Sequence, residues 1–251
     1  MIISEDCYPC IQGEGLLVGT PSILIRTSTC NLRCQFKNGE KCDSFFTWNP
    51  EQGKKVTPQE VYDEVIKLAT QGKNQITNII YSGGEPTLFG NEFTELCRAF
   101  LLSGFHVTVE TNGTKYIEIP TKTGFKGKEK DLTSNLLFSI SPKLKSSVPI
   151  GTEFEKNHEK IRINLVVLEA LLKRYPSYLK FVITGEEDLE EVLELQKSLK
   201  LPSQRVFLMP EGTSRDVILE KSKALVDICI KYNFRFSPRE HVNIWGNRRG
   251  V

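Results

Sequence analysis

Ser22-Ile-Leu-Ile-Arg-Thr27-Ser-Thr-Cys30-Asn-Leu-Arg-Cys34, continuing to Cys42-Asp-Ser44, is an apolar run that empties into a loop carrying three cysteines. The run reads as a buried strand. A [4Fe–4S] cluster takes four thiolates. Three thiols on one loop would hold three irons and leave the fourth open to a small-molecule ligand. Such an arrangement suits chemistry at a cluster rather than electron storage.

Outward from this stretch, β-branched runs alternate with helical patterns. Strands are predicted at Ser22–Thr27, Asn78–Ser82, His106–Glu110, Leu136–Ile140, Leu179–Thr184 and Arg205–Leu208, with a late one near Asn233–Phe236. Helices are predicted at Thr57–Thr70, Glu92–Ser103, Lys156–Tyr175, Leu189–Leu199 and Arg215–Tyr232. Thr57-Pro-Gln-Glu60 is a capping box with Pro at the first helical position. The alternation implies a parallel sheet with helical crossovers. The expected fold class is α/β: an open, partial βα barrel of about six parallel strands, fewer than the eight of a closed one. Residues 1–251 are expected to form one domain. The Lys/Gly-rich stretch Lys122–Asp131 interrupts the alternation and is expected to be a solvated loop.

Composition excludes several classes. The 251 residues carry a formal charge of +2, with 39% hydrophobic and 25% charged residues, as in ordinary globular proteins. Near-neutrality gives no broad basic footprint for nucleic acid. No signal-peptide pattern opens the chain, and no apolar run is long enough to span a membrane. The seven cysteines fit reduced thiols in a cytoplasmic protein better than a disulfide framework. Cys97 and Cys229 sit in apolar helical patterns and are expected in the core. The three histidines are scattered, which weakens zinc-hydrolase readings.

The remaining unusual segments each follow a predicted strand end: Ser82-Gly-Gly-Glu-Pro86, Glu110-Thr-Asn-Gly-Thr114, Ser141-Pro-Lys143, Thr184-Gly-Glu186 and Met209-Pro-Glu-Gly212. In a parallel α/β layout these positions meet at the carboxyl edge of the sheet, so one shared pocket is expected. Gly83-Gly84 removes side chains so that a ligand can reach bare backbone. Glu110 and Asn112 either bond a ligand or cap the next segment. Gln12-Gly-Glu14 could pair with the donor–acceptor edge of a heterocycle. Arg26 ends the first strand, where an inward guanidinium needs a carboxylate partner. Cys7-x-x-Cys10 has the spacing of a redox pair or half a zinc site, and nothing nearby completes such a site.

Together these residues resemble the radical S-adenosylmethionine enzymes, through Cys30-Asn-Leu-Arg-Cys34, Cys42-Asp-Ser44, Ser82-Gly-Gly-Glu-Pro86 and Ser141-Pro-Lys143. Ile11-Gln-Gly-Glu-Gly15, Glu110–Thr114, Leu208-Met-Pro-Glu211 and the tail His241–Val251 are similar to the 7-carboxy-7-deazaguanine synthase family. The resemblance implies a [4Fe–4S] cluster on Cys30, Cys34 and Cys42, with S-adenosylmethionine at its open iron. Asp43, Gly84, Ser141, Pro142, Lys143, Leu208, Met209, Pro210 and Glu211 would line that cofactor. Ile11, Gln12, Gly13, Glu14, Arg26, Ser82 and the terminal carboxylate of Val251 would hold the substrate, and Ser44 would bind Mg²⁺, a hard cation that prefers oxygen. The implied reaction takes a hydrogen atom from C6 of 6-carboxy-5,6,7,8-tetrahydropterin and contracts its ring to 7-carboxy-7-deazaguanine with loss of ammonia. A flavodoxin or ferredoxin donor and a homodimer are implied as well. An alternative within the superfamily is a glycyl-radical activase. The chain departs from the usual CxxxCxxC spacing: Lys37–Lys41 is a five-residue insertion before Cys42.

Overall fold

The computed structural model describes residues 1–37, 39–125 and 128–250. In chain order the strands are β1 (Ile2–Ile3), β2 (Tyr8–Ile11), β3 (Pro21–Thr27), β4 (Lys54–Lys55), β5 (Asn78–Gly83), β6 (His106–Thr111), β7 (Lys122–Phe125), β8 (Lys128–Asp131), β9 (Leu136–Ile140), β10 (Ser177–Ile183), β11 (Val206–Pro210) and β12 (Arg235–Phe236). The helices are α1 (Pro58–Ala69), α2 (Asn91–Leu102), α3 (Glu155–Ile161), α4 (Leu165–Arg174), α5 (Asp188–Ser198), α6 (Arg215–Tyr232) and α7 (Glu240–Trp245).

The main sheet runs β12-β11-β10-β9-β6-β5-β3-β1-β4, with β2 also paired to β3. From β3 through β12 every pairing is parallel. The expected open βα barrel is therefore present, with the short β12 as the late strand. The antiparallel β1, β2 and β4 extend the β3 side.

Strand alternation divides the molecule into two faces. Ile23, Ile25, Ile79, Tyr81, Val107, Val109, Leu179, Phe181 and Leu208 point to the helices and form the main core. Helix α2 contributes Phe93, Leu96, Cys97 and Phe100, each at most 1% exposed; burying side chains of this size stabilises by about 1.5–3 kcal/mol apiece. The opposite face carries Leu24, Arg26, Ile80, Ser82, Glu110, Lys180, Val182 and Met209 around a cavity. Its lower part is filled by Leu137, Tyr178 and Phe207, with Leu17 packed on them. The cavity wall draws on the residues at the carboxyl ends of β3, β5, β6, β9 and β11.

Local chemistry explains the elements. In α1 the Thr57 hydroxyl accepts from Glu60 N–H at 3.2 Å, and Glu60 accepts from Thr57 N–H at 2.7 Å, the expected capping box. Two expectations need correction. Lys156–Tyr175 is two helices, because Asn164 interrupts the apolar pattern as an N-cap accepting from Val167 N–H. Within Lys122–Asp131, β7 and β8 pair antiparallel rather than forming a loop; the Lys- and Gly-rich composition hides the strand pattern in the sequence.

Candidate active site

The cavity, about 290 Å³ in volume, collects most of the strand-end segments. Its wall includes Ile11, Gln12, Gly13, Glu14, Arg26, Cys30, Cys34, Cys42, Asp43, Ser44, Ser82, Gly84, Ser141, Pro142, Lys143, Met209 and Glu211. Leu208 and Pro210 are absent from it. Leu208 lies in the main core, as alternation with Met209 requires, so either residue would reach a ligand only through its backbone. Thr184-Gly-Glu186 is also absent from the wall; Thr184 N–H and hydroxyl bond Asp188 at the start of α5 instead. The expected role of Val251 falls outside the described residues.

The cysteine loop is aimed by backbone. Thr29, a β-branched residue at φ +94°, turns the chain out of β3 immediately before Cys30, a conformation that costs roughly 1–3 kcal/mol and persists only where surroundings enforce it. Thr29 N–H donates to Thr47 carbonyl at 2.6 Å, and its own carbonyl accepts from Glu85 N–H at 2.9 Å. A Cβ on Gly84 would stand 2.1 Å from Thr29 carbonyl, and one on Gly83 2.2 Å from Thr27 carbonyl. The two glycines are thus required for packing the β5 end against the cysteine loop. The bare backbone expected there is partly occupied by the protein itself.

Further contacts fasten the loop. Asn31 accepts from Asn112 Nδ2 at 3.0 Å and donates to the Thr114 hydroxyl at 2.8 Å. Buried Glu85 accepts from Thr87 and Thr111 hydroxyls and from Asn112 N–H. Burial raises its pKa against those donors. Arg33 N–H donates to Nδ1 of buried His158, whose pKa falls to about 4 through burial and then the nearby Arg162 and Lys143 charges.

All seven cysteines are free thiols. Burial, and then the charge of Cys34, pushes Cys30 up to about 12; burial likewise raises Cys34 and Cys42. A cationic centre at these sulfurs would offset the burial and favour their thiolates. Among the described residues no three Cys, His, Asp or Glu side chains converge on a single metal ion, whereas a cubane places each thiolate on a different iron. The donor set, three soft sulfurs on one cavity wall, fits a cluster. Ser44, with its hydroxyl 3.2 Å from Asp43 Oδ1, offers the few protein oxygens that Mg²⁺ commonly uses beside water and substrate. Cys7 and Cys10 do not form a pair: Cys7 belongs to the main core and Cys10 to the cavity wall.

The cavity floor is a buried ion network that the sequence conceals. Lys180 Nζ meets Glu14 at 2.6 Å and Glu110 at 2.9 Å. Arg239 bonds Glu14 at 3.3 Å and also meets Asp43 and the carbonyl of Gly212. Burial alone would raise Glu14, but Lys180 and Arg239 hold it well below the usual carboxylate range. Arg26, expected to await a carboxylate, already pairs with Glu5 at 2.6 Å, while its Nη1 stands 3.5 Å from Ser44. Two buried polar atoms on this wall have no partner: Gln12 Nε2, a donor, and Glu110 Oε1, an acceptor. The C-terminal segment closes the side. Glu240 N–H donates to Gly13 carbonyl, His241 occupies the space a Gly13 Cβ would take, and Gly246–Arg249 join the wall. Lys180, Arg239 and His158 were not singled out from the sequence. The one available signal was for Lys180, a lone charge among apolar neighbours.

Comparison with known proteins agrees with this geometry. Residues 24–121 match the model of the radical SAM superfamily. The chain is 33% identical over 257 residues to the 7-carboxy-7-deazaguanine synthase of Halobacterium salinarum, covering 97% of this chain and 90% of the relative. It is 31% identical to that of Rhodopirellula baltica, covering 100% of this chain and 89% of the relative. The crystal structure of QueE from Escherichia coli superposes with a TM-score of 0.65 at 19% identity, covering 94% and 92% of the two chains; at that identity the likeness speaks for the fold. By full-length identity to its curated relatives, the chain belongs to the 7-carboxy-7-deazaguanine synthase family of radical S-adenosylmethionine enzymes.

Proposed function

We propose that this chain contracts 6-carboxy-5,6,7,8-tetrahydropterin to 7-carboxy-7-deazaguanine with loss of ammonia, as a lyase of deazapurine (queuosine-type) biosynthesis. The observation that carries the reading is the meeting of three free thiols with an unpartnered donor and acceptor on one cavity wall. When bound, the cluster and S-adenosylmethionine supply the hydrogen-atom abstraction that begins the reaction.

The protein's own part is placement and exclusion of water. Cys30, Cys34 and Cys42 would hold the cluster. Asp43, Gly84, Ser141–Lys143, Met209 and Glu211 would border the adenosyl donor, with Lys143 fixed at 2.9 Å from the Ser141 hydroxyl. Gln12 Nε2 and Glu110 Oε1 match a pterin ring edge that presents an acceptor and a donor together. Arg26 would meet the substrate carboxylate, and Ser44 would hold Mg²⁺, which would supply a hard positive charge beside it. Leu137, Tyr178 and Phe207 pack together on the same face of the sheet, and the C-terminal segment covers the flank.

We read 1–251 as one domain working in the cytoplasm, with a flavodoxin or ferredoxin as electron donor and a second copy as partner. Free thiols throughout support a reducing compartment. Among the described residues no helix is long and apolar enough to cross a membrane. An exposed α6 stripe of Leu219, Val226 and Ile230 supports self-association, since Lys223 and Asp227 beside it would meet across an antiparallel twofold. The test is anaerobic reconstitution followed by incubation with the carboxytetrahydropterin, S-adenosylmethionine and dithionite. A product with the mass of 7-carboxy-7-deazaguanine is expected. Cleavage of S-adenosylmethionine with the pterin untouched would favour another radical S-adenosylmethionine activity, such as a glycyl-radical activase.

A further inference from the structure

Lys180 lies mid-strand in β10, its neighbours Leu179 and Phe181 turned to the core and its own side chain 3% exposed. An ammonium so buried is tolerated only when paired. Its partners come from separate parts of the chain: Oε2 of Glu14 at 2.6 Å, before β3, and Oε2 of Glu110 at 2.9 Å, in β6. The other two oxygens of these acids differ. Glu14 Oε1 faces Arg239 at 3.3 Å and His241 at 3.9 Å. Glu110 Oε1 is buried with no partner, and so is Gln12 Nε2, whose amide oxygen accepts from Glu14 N–H. The two oxygens of a carboxylate are equivalent acceptors, and the terminal torsion of a glutamate is broad, so the contact to Oε2 fixes the plane of the Glu110 carboxylate and with it the direction in which Oε1 points.

We infer that Lys180 is a positioning residue that aims the Glu110 acceptor at the ring edge the cavity reads. Holding Oε2 of both acids, it leaves Glu110 Oε1 as an outward acceptor, to be matched with the Gln12 Nε2 donor. This combination takes a heterocycle that offers an exocyclic amino donor to Glu110 Oε1 and a ring carbonyl to Gln12 Nε2, the 2-amino and 4-oxo groups of a pterin. The inference rests on the ring-contraction reading above. Because lysine only donates, it would also dictate the orientation of an amide placed at position 110: Lys180 must take its oxygen, leaving NH₂ toward the ligand.

The experiment measures equilibrium binding to the reconstituted holoenzyme with S-adenosylmethionine and no reductant, so that nothing turns over. The ligands are 6-carboxytetrahydropterin and its lumazine counterpart, which has a 2-oxo group in place of the 2-amino group. The wild type should prefer the pterin by about tenfold or more, the worth of an unpaired buried acceptor. Glu110→Gln, which is isosteric, should reverse the preference toward the lumazine by about threefold or more. Lys180→Met combined with Glu110→Gln conserves net charge and frees the amide to turn, so it should prefer neither ligand beyond about twofold. A merely structural Lys180 would move both affinities together and leave their ratio alone. Loss of affinity in Glu110→Gln without reversal overturns the inference, as does reversal that persists in the double variant. A wild type that binds neither pteridine sinks the function and the inference together.

Discussion

The backbone N–H of Cys42 donates to the carbonyl of Cys34 across 3.0 Å. Seven residues separate them in sequence, yet they are direct neighbours in space. The described residues of the intervening segment pair with each other. Gln35 bridges Lys41, Phe36 N–H donates to Glu40 carbonyl, and Gly39 N–H donates to Phe36 carbonyl. Cys34 and Cys42 therefore stand side by side despite the insertion, whose last residue Lys41 lines the cavity.

Deleting Lys37–Lys41 should leave Cys34-Gln-Phe-Cys42 with cluster loading and turnover within about threefold of the parent, since loop length changes closure cost only slowly. Iron content and product rate check this. A colourless deletion variant would mean that the insertion itself shapes the site.

Gly84→Ala tests the packing of the β5 end on the cysteine loop. Its methyl would meet Thr29 carbonyl at 2.1 Å, and overpacking of this kind costs about 1–3 kcal/mol. A lowered melting temperature together with reduced iron uptake is expected. Full iron uptake would show that the loop is positioned by other contacts.

His158 should give the fold an acid-side weakness. Its folded pKa of about 4 lies below the ordinary 6.5 because of burial, then Arg162 and Lys143. The unfolded chain takes up a proton first as pH falls, so this stability is complete above about 6.5 and lost on the way to 4. His158→Gln keeps an acceptor for Arg33 N–H and cannot titrate. Its melting temperature should fall less than the wild type's between these pH values; equal slopes would remove His158 as the cause.

Arg249 stacks its guanidinium 3.6 Å above the Phe46 ring, which also lies 5.7 Å from Arg26. This contact fastens the C-terminal segment over the cavity. Cation–π contacts contribute about 0.5–2 kcal/mol. Phe46→Leu should therefore raise the KM for the pterin roughly twofold to thirtyfold with little change in melting temperature. An unchanged KM would make the tail a passive cover.

Much of the frame was legible because strand-forming residues cluster tightly. Leu136–Ile140 is predicted and observed with the same bounds, and the capping box at Thr57 fixes the start of α1. The cysteine loop was legible because three thiols on one loop have few structural uses. The ion network was not, since Ser177-Tyr-Leu-Lys-Phe-Val-Ile183 reads only as a mostly apolar strand with a lone charge whose partners lie far off in sequence. Only the tertiary arrival of Glu14 and Glu110 shows that Lys180 faces inward. Likewise Gly83 and Gly84 suggested room for a ligand, when the room belongs to Thr27 and Thr29.

The most direct measurement is the iron and sulfide content of anaerobically reconstituted variants in which each cysteine is replaced by Ala. The wild type should hold about four irons per chain. Replacing Cys30, Cys34 or Cys42 should strip or cripple the cluster, while replacing Cys7, Cys10, Cys97 or Cys229 should spare it. Full iron in the loop variants, with loss on changing Cys7 or Cys10, would contradict the account.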